Sequence, residues 1–106
     1  MEDFVERMER MAEAIPKYAK AKAERVYIEQ FRKSKKALLM GECDAKTAVA
    51  KEQYAYSHPE YRQLLDGLRD AVEYEEKCRW SLERFKMELE HWRTLQANDR
   101  FLKDRV

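Results

Sequence analysis

Pro16, Gly41, Pro59 and Gly67 are the only prolines and glycines in a chain of 106 residues. Tight turns draw on these residue types, so their scarcity restricts the chain to a few long elements. Most other positions hold Ala, Glu, Lys, Arg, Leu or Met, which are strong helix formers. Charged residues make up 41% of the chain, as in long helices and coiled coils. The expected fold is all-α: a long antiparallel helical hairpin, coiled-coil-like, with a short connecting helix. It is expected to form a single domain over 1–106, with a kinked first helix over 1–40, a connector over 41–57 and a last helix over 58–103.

Along the first helix, acidic residues favour a start near Glu2 or Asp3, at the positive end of the helix dipole. Val5, Met8, Ala12 and Ile15 form an apolar stripe. Pro16 lacks an N–H and crowds the carbonyl of Ala12, which predicts a kink or short break. Ala12, Ile15, Ala19, Ala23, Val26, Gln30, Ser34 and Ala37 follow an eleven-residue repeat, so they are the predicted seam. Tyr27, Phe31, Leu38 and Leu39 widen that face. Gly41 suits a C-terminal cap. Asp44 is the expected N-cap of a short helix over 45–54. Ser57-His58-Pro59-Glu60 reads as a capping box, with Ser57 as cap and Glu60 reaching back.

The last helix carries Tyr61, Leu64, Leu68, Ala71, Glu75, Cys78, Leu82, Phe85, Leu89 and Trp92 at alternating spacings of three and four. That is a heptad seam. Gly67 is its weak point, costing about 1 kcal/mol against Ala. Glu75 lies on the seam itself, where a polar residue fixes register or pairs with a group from the facing helix; Lys22 or Arg25 could supply the base. A seven-residue and an eleven-residue repeat cannot stay in register throughout, which favours assembly into an oligomeric bundle. Charge supports antiparallel pairing. Residues 1–15 carry a net −3, 17–36 a net +6, 60–90 a net −3 and 91–106 a net +2. Folding near the connector sets opposite signs against each other.

Several function classes are disfavoured. The formal net charge of +1 gives no global field for nucleic acid. Cys43 and Cys78 form neither a metal motif nor a disulfide framework, as expected of free thiols in a reducing cytoplasm. No apolar run approaches the ~20 residues of a membrane span, and the acidic start lacks the order of a signal peptide. There is no phosphate-binding glycine loop and no HExxH or GxSxG motif. Glu88 and His91 have the Glu-x-x-His spacing of di-iron bundles, but Leu89 and Trp92 occupy the seam beside them. Neither His58 nor His91 is placed to activate a cysteine. The expectation is no enzyme activity, no catalytic residues, no cofactor and no metal.

Two surfaces stand out. Lys17, Lys20, Lys22, Arg25, Arg32, Lys33, Lys35 and Lys36 form a basic face that could contact phosphates. Pairing with the acidic last helix is the preferred account of it. Tyr18, Ile28, Tyr74 and Trp80 are large residues assigned off the main seam, and a second buried face in a homo-oligomer is the simplest explanation. Tyr54, Tyr56 and Tyr61, with His58, are expected to cap the turn end of the hairpin, with an exposed aromatic contact patch for a partner as the alternative.

The stretch from Ala23 to Met40 (AERVYIEQFRKSKKALLM) resembles a segment of small helical proteins encoded by tailed phages and prophages. Trp92 to Asn98 (WRTLQAN) is similar to their C-terminal helix. The resemblance implies a bacterial host cytoplasm and a gene setting near phage recombination or replication. It implies no assigned activity and no functional residues. The expected function is therefore self-association and contact with phage or host proteins, with direct nucleic-acid binding by the basic face as the alternative.

Overall fold

The computed structural model describes residues 3–104 and is all-helical. Helix α1 spans Phe4–Glu42, α2 spans Ala48–Ser57 and α3 spans Pro59–Asp104. The chain divides into two compact units, one formed by Met1–Ala19 with Glu76–Val106 and the other by Lys20–Glu75. No helix among the described residues is long and apolar enough to cross a membrane.

Helix ends follow local hydrogen bonding. Asp3 caps α1: its carboxylate accepts from the Glu6 amide at 2.8 Å. Glu2, the other expected start, lies outside the described residues. Of the kink or short break expected at Pro16, the break does not occur, since α1 is helical on both sides of it. Pro16 is exposed, while Ala14 and Tyr18 beside it are buried and half-buried. Packing on the inward face thus holds the helix together despite the lost hydrogen bond. Gly41 is not the terminal cap. The helix runs on to Glu42, no glycine has positive φ, and the Cys43 amide closes the last turn on the Met40 carbonyl at 3.3 Å.

The connector also differs from expectation. Thr47, not Asp44, caps α2; its hydroxyl accepts from the Ala50 amide at 3.1 Å. The helix then extends to Ser57. Ser57 does not start α3. Its hydroxyl donates back to the carbonyls of Gln53 and Tyr54, at 2.8 and 3.2 Å. His58 joins the two helices. Its N–H closes α2 on Ala55, its carbonyl accepts from Tyr61 and Arg62, and its Nδ1 accepts from the Glu60 amide at 3.1 Å. The expected capping box is therefore replaced by a histidine cap, with Pro59 in the first turn where its missing donor is harmless.

Every residue of the heptad seam read on α3, from Tyr61 to Trp92, is buried or half-buried. The seam predicted on α1 is overturned: Ala12, Ile15, Ala19, Ala23, Val26, Gln30, Ser34 and Ala37 are all exposed. The inward line is Phe4, Arg7, Met11, Ala14, Tyr18, Ala21, Arg25, Ile28, Arg32, Lys35 and Leu39, each buried or half-buried. These positions alternate by three and four, so both long helices follow heptads and the inferred clash of periods disappears. Long-stemmed arginines and lysines cover apolar surface with their methylenes while placing a charge at the edge. A line of alanine, serine and glutamine offers less area to bury.

Within the Met1–Ala19 and Glu76–Val106 unit, Phe4 stacks on Trp92 with centroids 4.9 Å apart, and Arg7 lies 3.8 Å from Glu88. Ala14, Cys78, Leu82 and Leu89 are its buried residues among those described. Within the Lys20–Glu75 unit, Arg25 meets Glu75 and Lys35 meets Glu60. Leu39, Ala55 and Tyr61 form a core cluster with Met40 packed against it. In each unit, later residues of α1 meet earlier residues of α3, so the paired segments run antiparallel.

Candidate functional site

The inward line of α1 carries four cations, Arg7, Arg25, Arg32 and Lys35. From sequence, Arg25, Arg32 and Lys35 belong to the basic face and Arg7 to no surface; their shared three–four spacing is the signal that places them on the inward line. Arg25 supplies the base expected for Glu75. Its Nε donates to Glu75 Oε2 at 2.6 Å and its Nη2 to Oε1 at 3.1 Å. Its Nη1 donates to Glu29 at 3.0 Å. Hydrogen bonds to Glu75, then to Glu29, raise the Arg25 pKa further above its ordinary value. Glu75 is only 7% exposed, so this charge is held by geometry as well as attraction. Lys22, the other candidate, is exposed.

Lys35 lies 2.5 Å from Glu60 and holds that carboxyl below its ordinary pKa, chiefly through their hydrogen bond. Lys36 donates to Glu52 at 3.4 Å and sits 4.8 Å from the Tyr56 ring centroid. Contact with Tyr56, then the charge of Glu52, raises the Lys36 pKa. Three of the eight basic candidates are thus paired internally. Lys17, Lys20, Lys22 and Lys33 are exposed and meet no carboxylate among the described residues.

Arg32 is half-buried and also meets none. It lines a cleft of about 290 Å³ with Lys33, Lys36, Tyr56 and Tyr61. A second cleft, of about 410 Å³, is lined by Phe31, Lys35, Glu60, Gln63 and Leu64. Its lysine and its glutamate are already paired with each other.

Of the residues assigned to an oligomer contact, Tyr18 and Ile28 fall on the half-buried inward line of α1 instead of off it. Tyr74 and Trp80 are exposed, and Arg79 stacks over Trp80 at 4.6 Å. The turn aromatics divide. Tyr61 joins the core, whereas Tyr54 and Tyr56 keep substantial exposure and make edge contacts with His58 and Tyr61. Glu88 is engaged by Arg7 and Arg84, and His91 is exposed. Cys78 is buried on the α3 seam as a free thiol, as is half-buried Cys43 elsewhere. Compared with protein-family models, curated proteins and solved structures, the chain gives no match.

Proposed function

We propose that this chain is a non-enzymatic helical protein of the phage or prophage type. It acts by self-association and protein–protein contact, accessory to phage DNA recombination or replication in the cytoplasm of a bacterial host. In this reading α1 and α3 are the arms of one antiparallel, coiled-coil-like hairpin joined by α2. The phage setting rests on the resemblance of residues 23–40 and 92–98.

The observation that supports self-association is the number of large apolar residues that α1 leaves exposed. Val5 and Ile15 are exposed in one unit, and Val26, Tyr27, Phe31 and Leu38 in the other. The outward side of a solvated helix is ordinarily polar, and exposed apolar patches mark interaction surfaces. A second copy of the chain is the occupant that fits. Glu9 and Glu13, early in α1, are exposed and have no ion-pair partner among the described residues. Lys17, Lys20, Lys22 and Lys33, later in the same helix, are in the same condition. An antiparallel copy of α1 sets those acids against these lysines. Exposed Tyr74 and Trp80 offer further apolar area on α3. Direct nucleic-acid contact is the weaker reading, because Arg25, Lys35 and Lys36 are already taken up by Glu75, Glu60 and Glu52.

Light scattering at micromolar concentration tests the reading. The expected mass is that of a dimer or larger. Val26→Glu should lower the mass without loss of helix content, and Trp80→Glu should weaken assembly more than Leu82→Ala. A monomeric wild-type protein overturns self-association.

A further inference from the structure

We propose that the cleft lined by Arg32, Lys33, Lys36, Tyr56 and Tyr61 is a binding site for a phosphate group. The inference begins with a comparison along one helix face. Arg7, Arg25, Arg32 and Lys35 all lie on the inward heptad line of α1. Arg7 faces Glu88, Arg25 faces Glu75 and Lys35 faces Glu60. Arg32 alone of the four has no carboxylate among the described residues, yet it is held half-buried. Arg32 lines a cleft, and the planar fork of a guanidinium matches an oxyanion.

The surroundings strengthen the case. Lys33 adds an unpaired cation at the cleft. Lys36 lines it too, with its charge already shared with Glu52 and the Tyr56 ring, so Arg32 and Lys33 are the cations left for a ligand. Glu52 does not line the cleft, so the lining carries cations and phenols with no carboxylate. Tyr61 is only 6% exposed and is braced against Tyr56, ring centroids 5.4 Å apart. Its hydroxyl has no hydrogen-bond partner among the described residues. The larger neighbouring cleft lacks this character, since Lys35 there is neutralised by Glu60. Charge and donors, not size, single out the smaller one. A phosphate monoester or diphosphate supplies the negative charge and acceptor oxygens this lining lacks. The same chemistry reaches the cleft from a free phosphate compound or from a nucleic-acid backbone.

Calorimetric titration of the full chain with inorganic pyrophosphate at about 50 mM salt tests the site, where phosphate contacts are weakly screened. Saturable binding is expected. Arg32→Gln should weaken it roughly tenfold or more, about 1.4 kcal/mol. Lys33→Gln, at an exposed position that tolerates change, should weaken it less. Lys20→Gln removes the same charge elsewhere on α1 and should leave it nearly unchanged. No binding overturns the proposal. So does equal weakening by Lys20→Gln and Arg32→Gln, which would reveal diffuse attraction. A thymidine oligonucleotide distinguishes the sources. Binding that pyrophosphate displaces, and that Arg32→Gln weakens equally, assigns the site to nucleic-acid phosphate. Pyrophosphate binding without oligonucleotide binding assigns it to a free phosphate compound. The readout is ligand bound per chain, so it is independent of the mass measurement that tests self-association.

Discussion

Arg25 grips Glu75 from the opposite helix with two guanidinium nitrogens, at 2.6 and 3.1 Å. The carboxylate sits on the α3 seam, where an apolar residue would ordinarily pack. Removing one partner strands the other charge, whereas replacing both leaves ordinary packing. Arg25→Met alone should therefore lower the urea midpoint clearly. Arg25→Met combined with Glu75→Leu should recover most of that loss. A double variant no better than Arg25→Met would show that the two residues are not coupled.

The reassigned face of α1 makes a second prediction. Leu39 is fully buried, at 0% exposure, so Leu39→Ala should cost about 2–5 kcal/mol. Gln30, which the eleven-residue repeat placed on the seam, is exposed. Gln30→Ala should change stability by about 0.5 kcal/mol or less. Denaturant unfolding of both variants checks the orientation of the helix. Comparable losses would restore the discarded seam.

Helix caps provide a third. Thr47 accepts the Ala50 amide at the start of α2, so Thr47→Ala should cost about 1 kcal/mol. The Ser57 hydroxyl bonds only to carbonyls behind it, a contact that adds little to a helix. Thermal melts should show Ser57→Ala to be the milder change. The reverse order would favour Ser57 as the true cap of α3.

The Lys35–Glu60 pair predicts a pH response. The folded pKa of Glu60 lies below its ordinary value, through its hydrogen bond to Lys35. A depressed carboxyl contributes stability above the unfolded pKa and loses it as pH falls through the folded pKa. The contribution should therefore be complete at neutral pH and fade on the acid side of the usual glutamate range. Carboxyl titration followed by NMR should place Glu60 below the ordinary glutamate value. Lys35→Met should raise it towards the ordinary value. An unchanged Glu60 midpoint in that variant would show that Lys35 is not the cause.

Much of the helical framework was legible because its signals are local. Scarce glycine and proline mark long helices, and the first-turn position of Pro59 reads directly from the residues around it. The α3 seam was legible because its apolar residues are large and strictly spaced. The cleft was only half legible. Arg32, Lys33 and Lys36 were named as a basic face, but neither the pairing of Lys36 nor the isolation of Arg32 is visible along a single helix. The reach of Tyr56 and Tyr61 to that face comes from the turn at His58.

Composition and spacing alone determined that this chain is helical, where its last helix presents its apolar stripe, and that Glu75 lies on that stripe. Tertiary structure decided which face of α1 turns inward. A helix with small apolar residues on one side and arginines, aromatics and scattered aliphatics on another has two candidate seams. Only the opposing helix, with Glu60, Glu75 and Glu88 in place to receive Lys35, Arg25 and Arg7, lets the charged line be buried in part. The choice depends on partners distant in sequence, and local periodicity carries no information about them.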